Sequence, residues 1–379
     1  MRLKPFLLDN WLNEHQFTGS GIKHHLGAST GPEWTTRSLV ELIGSDQWER
    51  LLDDPVTYVD ARGTKALREA IAEMEQVHPD QVQIVTGAAE ALLILFFLAA
   101  EPGANVIVPF PGFPPFAVLP ESFGIETRLY HLRRENQFRI DLDEIVALAD
   151  DKTRLVLVNL PHNPTGAVVS EEQLKAIHDF TAARGIQLVV DQVYHPIYHG
   201  AAVPSASGLS HATVLGDFSK ALSLSGLRVG WMIDRDRNRL EQYCDARSYF
   251  TISNTRLGEG LAVGAIQNRQ AIFDRVRRTT EANLRLLDSF FSRLSGVLDW
   301  VRPQGGMTAF PWLANGADSR PMCQELASKG VLLAPGDCFG MPEYFRLGFG
   351  SIEEGFDHAL QQMERVIDLY FSSAMGTAR

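Results

Sequence analysis

Between Gln81 and Asp234 six short apolar runs alternate with longer helical patterns, and nothing else in the 379 residues constrains the fold as strongly. The runs are Val82–Val85, Asn105–Val108, Leu155–Val158, Gln187–Val190, Thr213–Leu215 and Arg228–Ile233. Each is continuous rather than alternating, as strands buried on both faces of a mostly parallel sheet should be. Ser170-Glu171-Glu172-Gln173 reads as a capping box that opens a helix between two of them. Strand, helix, strand in this order predicts an α/β fold: a large domain with a mostly parallel central sheet flanked by helices.

After about Ser253 the texture changes. One long helical pattern runs to about Leu294, and short strand candidates follow at Thr308–Leu313, Val331–Ala334 and Phe345–Phe349. A last helix is expected over Glu353–Phe371, whereas the first 45 or so residues are turn-rich and fit neither period. These patterns predict a smaller α+β domain built from both chain ends. The expected division is 1–45 as an N-terminal segment of the small domain, 46–275 as the large domain and 276–379 as the small C-terminal domain.

Open α/β sheets bind polar ligands outside the carboxyl ends of their strands. Four such ends carry unusual residues: Thr86-Gly87-Ala88-Ala89-Glu90, Asn159 to Gly166, Asp191-Gln192-Val193-Tyr194 and Asp217-Phe218-Ser219-Lys220. Small residues opening a helix let backbone N–H groups approach a phosphate. Asn163 before Pro164 marks a turn open to a cis bond. A carboxylate and a lysine at neighbouring strand ends suit carbonyl chemistry, because a buried lysine loses its proton readily and becomes a nucleophile.

Composition removes other classes. Thirty-five Lys and Arg against 46 Asp and Glu leave a net charge of −11, a poor match to a phosphate backbone, so no nucleic-acid partner is expected. The longest apolar run, Ala91–Ala100, is half of what a spanning helix needs, and no signal-peptide core follows Met1. Cys244, Cys323 and Cys338 lie far apart and form no CxxC pair. A cytoplasmic protein without a membrane partner is the expectation.

Taken together, these segments resemble the pyridoxal-phosphate-dependent aminotransferases of the class I and II family, fold type I. The most specific part is Ser219-Lys220 followed by Gly226-Leu227-Arg228-Val229-Gly230-Trp231. Tyr58 ahead of Arg62-Gly63 and Phe345-Arg346-Leu347-Gly348-Phe349 also match. The resemblance implies an amino acid and a 2-oxo acid as substrates and pyridoxal 5'-phosphate as cofactor, with Lys220 its covalent anchor and proton carrier. Asp191 would face the pyridine nitrogen; Asn163 and Tyr194 would bind the phenolic oxygen, and Phe113 would stack on the ring. Ala88, Ala89, Ser219 and Arg228 would hold the phosphate. Tyr58 would reach the phosphate of a neighbouring subunit, which implies a homodimer with shared active sites. Arg346 would clamp the substrate carboxylate, near Asn163.

One position departs from the family pattern. Three residues before the lysine, where Ser or Thr is usual, stands Asp217. A similar Gly-Asp-x-Ser-Lys run belongs to enzymes that resemble capreomycidine synthase, so β/γ-elimination or cyclisation of an amino acid is the alternative reaction. Asp217 is expected to pair with Arg228.

Other classes have weaker support. Gly27-Ala28-Ser29-Thr30-Gly31 matches the GxSxG of serine hydrolases, but Pro32 follows and the strands come later, so a turn near the active-site mouth is expected instead. Asp191, His195 and His199 have helical spacing like metal ligands, yet Pro196 argues against a helix. His15, His24 and His25 are too scattered for a metal site. A DNA-binding regulator of this fold would need an N-terminal module, which the turn-rich start does not provide.

Overall fold

The computed structural model describes residues 3–16 and 21–376, with side chains described as far as residue 370. Seven strands form the central sheet: β1 (Val82–Val85), β2 (Asn105–Phe110), β3 (Glu126–His131), β4 (Thr153–Asn159), β5 (Gln187–Asp191), β6 (Ala212–Asp217) and β7 (Gly230–Ile233). Their order is β1-β7-β6-β5-β4-β2-β3. All neighbours are parallel except β7, which runs antiparallel to β1 and β6.

All six expected runs are strands of this sheet. Every residue of β1, β6 and β7 is buried, which explains their uninterrupted apolar texture. Strand β3 was not expected, because at the sheet edge its residues are mostly half-exposed and its sequence, Glu-Thr-Arg-Leu-Tyr-His, has no apolar run. The capping box forms as read: Ser170 Oγ accepts from Gln173 N–H at 3.2 Å and Gln173 Oε1 from Ser170 N–H at 3.1 Å, opening the helix Glu171–Ala183.

The C-terminal third differs in detail from the expectation. The long helical pattern is two helices, Arg256–Gln267 and Arg269–Arg293, interrupted at Asn268, whose side chain donates to Gly264 O at 2.9 Å. Thr308–Leu313 is split at Phe310-Pro311 into two short strands that join different sheets. The last helix begins at Phe356. The turn-rich start holds helices at Leu7–Gln16 and Thr36–Ile43. His24–His25 pairs in parallel with Val331–Leu332, so the two ends of the chain meet in one small sheet.

The topology gathers the polar strand ends. Asn159 and Asp191 are register partners at the ends of β4 and β5. Asp217, at the end of β6, pairs with Gly230, which starts β7, and Gly230 in turn faces Val85 at the end of β1. Reversal of β7 therefore places the Arg228 segment against the helix that follows β1. Among the described residues, no helix is long and apolar enough to cross a membrane.

Candidate active site

At these strand ends lies a cavity of about 260 Å³ whose wall includes Lys220, Asp191, Tyr194 and Asn163. Ala88, Ala89, Phe113, Ser219 and Arg228 line it as well. The structure thus gathers nine of the residues chosen from sequence around one space. Arg346 joins them through Asn163, whose Oδ1 accepts from Arg346 Nη1 at 3.3 Å. Tyr58 is not among them; it is 75% exposed on the surface of its own chain.

Lys220 is half-buried, and its Nζ donates to Ser29 Oγ at 2.8 Å. Burial, helped by the nearby Arg346 charge, lowers its pKa from 10.5 to about 8. Asp191 responds the other way. Burial raises it to about 7 against the pull of its hydrogen bond from Val193 N–H at 3.2 Å, with the Asp217 charge adding to the rise. Its backbone oxygen accepts from Asn159 Nδ2 at 3.1 Å, and Asn159 Oδ1 accepts from Asn163 N–H at 2.7 Å. Asn159 therefore ties the Asn163 turn to the Asp191 strand, a role the apolar run around it concealed.

Tyr194 is 2% exposed, and its hydroxyl has no well-formed hydrogen bond. Burial pushes its pKa up to about 12, with Arg346 and the Ser29 hydroxyl opposing the rise. Phe113 packs edge-on against Phe116 at 5.7 Å, and Phe116, 1% exposed, belongs to the core. The peptide bond before Pro164 is cis.

Arg346 is 2% exposed and no carboxylate pairs with it among the described residues. Its Nη2 donates to Gly27 O at 2.6 Å, while Nε has no partner. Burial lowers its pKa. The Gly27–Ser29 turn thus joins Arg346 at one end to Lys220 at the other. Gly348 makes this approach feasible, since a Cβ there would lie 1.8 Å from Ala28 O. Ser29 accordingly sits in the site, but as part of that turn: no helix follows it until Thr36, so the hydrolase elbow is absent.

The opposite end of the cavity is the N-terminus of the helix Ala88–Leu98. Gly87 precedes it with φ of 77° and no capping side chain; a Cβ there would lie 2.3 Å from Arg228 Nη2. Here the expectation for Asp217 fails. No ion pair joins it to Arg228 among the described residues. Its Oδ2 accepts from Ala88 N–H at 2.5 Å and its Oδ1 from Ser219 N–H at 2.5 Å. A carboxylate beside an uncapped helix start finds free N–H groups at closer reach than a guanidinium. Arg228 instead donates to Ser219 Oγ and Ser225 O, both at 3.1 Å, and to Thr86 O at 3.3 Å. Buried Glu90 accepts from Thr86 N–H and lies 3.5 Å from fully buried Arg247, holding the turn from below.

The histidines take no part in this cavity. His195 Nδ1 bonds Tyr198 Oη at 2.9 Å and His199 Nε2 bonds Gly306 O at 2.7 Å, on a segment that is not helical.

The chain is similar to several known proteins. Capreomycidine synthase of Streptomyces vinaceus is 32% identical over 352 residues, covering 90% of this chain and 88% of that one. A PLP-dependent aminotransferase from Streptococcus suis superposes with a TM-score of 0.91 at 26% identity, covering 97% and 98% of the two chains. The PLP-dependent cyclase OrfR superposes at 0.88, also at 26% identity, over 98% of each chain. The family model described as aminotransferase class I and II matches residues 54–363, and the chain belongs to that family of enzymes.

Proposed function

We propose that this protein is a pyridoxal 5'-phosphate-dependent aminotransferase that moves an amino group between an amino acid and a 2-oxo acid. The observation that carries the reading is Arg346: a buried guanidinium, unpaired by any carboxylate among the described residues, one hydrogen bond from the wall of a cavity whose lysine titrates near 8. A buried cation of this kind calls for an anion from outside the chain. A substrate carboxylate fits, held bidentately.

The residues fit the cofactor on two counts. Tyr194 Oη is a buried hydroxyl lacking a partner beside Lys220, and the helix N-terminus with Arg228 and Ser219 offers donors to a phosphate. When bound, pyridoxal phosphate supplies an aldehyde and a protonated ring that withdraws electrons. Lys220 would anchor it and hold the transferable proton. Asp191 would keep the ring nitrogen protonated, and that opposite charge would draw its own pKa back down from about 7. Asn163 and Tyr194 would bind the phenolic oxygen and Phe113 would cover the ring face. The Ala88 and Ala89 N–H groups, Ser219 and Arg228 would hold the phosphate, although Asp217 already takes the Ala88 donor.

The site would be completed in a homodimer. Val56, Tyr58, Tyr249, Ile252 and Leu257 are exposed apolar residues, and covering them against a second copy would carry Tyr58 toward the neighbouring site. The 1–45, 46–275 and 276–379 division is retained in this reading, with the helix Arg269–Arg293 bridging the last boundary. Three cysteines without disulfides suit a cytoplasmic location.

Cyclisation or elimination on an amino acid is the second reading, favoured by the 32% identity to capreomycidine synthase and by Asp217. A panel of amino acids offered to the holoenzyme separates the two. Transamination converts the cofactor to its amine form and releases one 2-oxo acid per site with at least one donor. Release of ammonia, or a cyclic product with the aldehyde form retained, would replace the first reading by the second.

A further inference from the structure

On the far side of Val193 and Asp217 from the lysine lies a second and larger cavity, of about 600 Å³. Nothing in the chemistry above uses it. Its wall contains two buried donors without acceptors, Gln192 Nε2 and Trp231 Nε1, and both side chains are 5% exposed. The Gln192 amide cannot be turned around to remove the problem. Its Oε1 accepts from Ala206 N–H at 2.9 Å and from Ser205 Oγ at 3.2 Å, so the nitrogen faces elsewhere. Indole nitrogen can only donate. Trp231 is fixed in place by its edge-on contact with Phe218 at 5.6 Å and by Gly216, where a Cβ would fall 2.1 Å from the indole ring.

Two arginines, Arg269 and Arg277, and two carboxylates, Glu75 and Asp217, share the wall, and they differ in how fully each is already engaged. Arg269 makes no ion pair among the described residues and donates to Ile266 O at 3.0 Å. Among the described residues Arg277 pairs only with Asp274, at 3.3 Å. Of the acidic groups, Asp217 already receives two N–H donors. Glu75 accepts from Ser205 Oγ at 2.8 Å, and burial raises its pKa toward the neutral form. His195, lowered to about 4 by burial and the Arg277 charge, is neutral at pH 7. Val214, Leu222 and Phe273 supply apolar wall between these groups.

We propose that this cavity is a second, non-catalytic binding site for a small organic carboxylate with an apolar body. The carboxylate accepts from Arg269 and from the Trp231 and Gln192 N–H groups, and the body lies against Leu222 and Phe273. The volume suits such a ligand, since small-molecule sites usually span about 300–1,000 Å³. Because Val193 and Asp217 also line the lysine cavity, a bound ligand touches the wall of the active site without entering it.

The test uses 4-bromophenylacetate and the holoenzyme. Calorimetric titration should give two sites per chain: one removed by Arg346→Ala, the other weakened at least tenfold by Arg269→Gln and by Trp231→Phe. Bromine anomalous scattering from a soaked crystal should place one molecule against Phe273, a readout that requires no variant to fold. A single site abolished by Arg346→Ala, or no bromine in the larger cavity, overturns the proposal. Binding lost in Arg269→Gln but untouched by Arg346→Ala would uphold it while removing Arg346 from the substrate site.

Discussion

Two ends of one cleft treat anions in opposite ways. At the Arg346 end a buried cation faces no carboxylate among the described residues, and its Nε lacks a partner there. At the helix end the donors for a phosphate are already shared with a protein carboxylate, Asp217 on Ala88 N–H. The first arrangement leaves charge for an incoming anion to neutralise; the second sets a like charge beside it. Binding at the Arg346 end should therefore be strong and specific, and binding at the helix end tempered.

Removing Arg346 should give the largest effect. Breaking a buried, bidentate charge pair typically costs about 2–5 kcal/mol, so Arg346→Ala should lower kcat/KM for an amino acid by roughly 30-fold to several thousand-fold. The same variant should act almost normally on an amine lacking the carboxylate. Equal losses on both substrates would mean that Arg346 holds structure rather than substrate.

Asp191 lies between the two ends and reports on burial. In the cofactor-free protein its pKa is about 7 against 3.8 for the unperturbed group. The unfolded chain ionises first, so stability falls as pH rises from about 4 to about 7 and is level above. Asp191→Asn removes that fall and should stabilise the cofactor-free protein at pH 8 by about 4 kcal/mol, since each pKa unit is worth about 1.4 kcal/mol. It should also lose most activity, because an amide cannot keep a pyridine nitrogen protonated. Urea melts at pH 5 and pH 8 settle the sign: a variant no more stable than wild type at pH 8 contradicts the burial argument.

Asp217→Asn sharpens the contrast between the ends. The amide still accepts from Ala88 N–H but carries no charge. Cofactor affinity should rise roughly tenfold at pH 8, ~1.4 kcal/mol, and less at pH 5.5, where the phosphate is closer to a monoanion. An unchanged affinity at both pH values would show that the carboxylate and the phosphate do not meet.

Tyr58 should have the smallest effect. A Tyr58→Phe subunit mixed with a Lys220→Ala subunit gives hybrids in which one site keeps Lys220 and receives an intact tyrosine. Cofactor affinity in those hybrids should recover a few-fold over the Tyr58→Phe homodimer, since a single hydrogen bond typically contributes about 0.5–1.5 kcal/mol net. No recovery on mixing makes Tyr58 a residue of its own chain's surface.

How legible this was in the sequence depended on burial. Strands β1, β2 and β4 to β7 announced themselves because the sheet interior demands apolar residues on both faces; β3, at the edge, had no such demand and passed unnoticed. Lys220, Asp191, Tyr194 and Asn163 were readable because their segments combine rare residue types at strand ends. Asn159 and the Glu90–Arg247 pair were not, since they act through neighbours: Asn159 and Glu90 adjoin apolar runs, and Arg247 is one of several charged residues on its helix. Asp217 was noticed but given the wrong partner. A charge count favours Arg228, whereas the uncapped helix start that attracts the carboxylate exists only once Gly87 takes its positive φ. The break at Asn268 left no signal in the helical period, because Asn caps its helix through a side-chain bond that composition does not reveal.

The most direct measurement of the central claim is reductive trapping. Holoenzyme treated with borohydride and digested should yield one labelled peptide carrying the cofactor on Lys220, and Lys220→Ala should yield none and show no turnover. Capture of the cofactor by the apoprotein should speed up as pH rises and level off near 8, where the Lys220 amine loses its proton. A label on any other lysine, or capture still accelerating toward pH 10, would contradict the assignment.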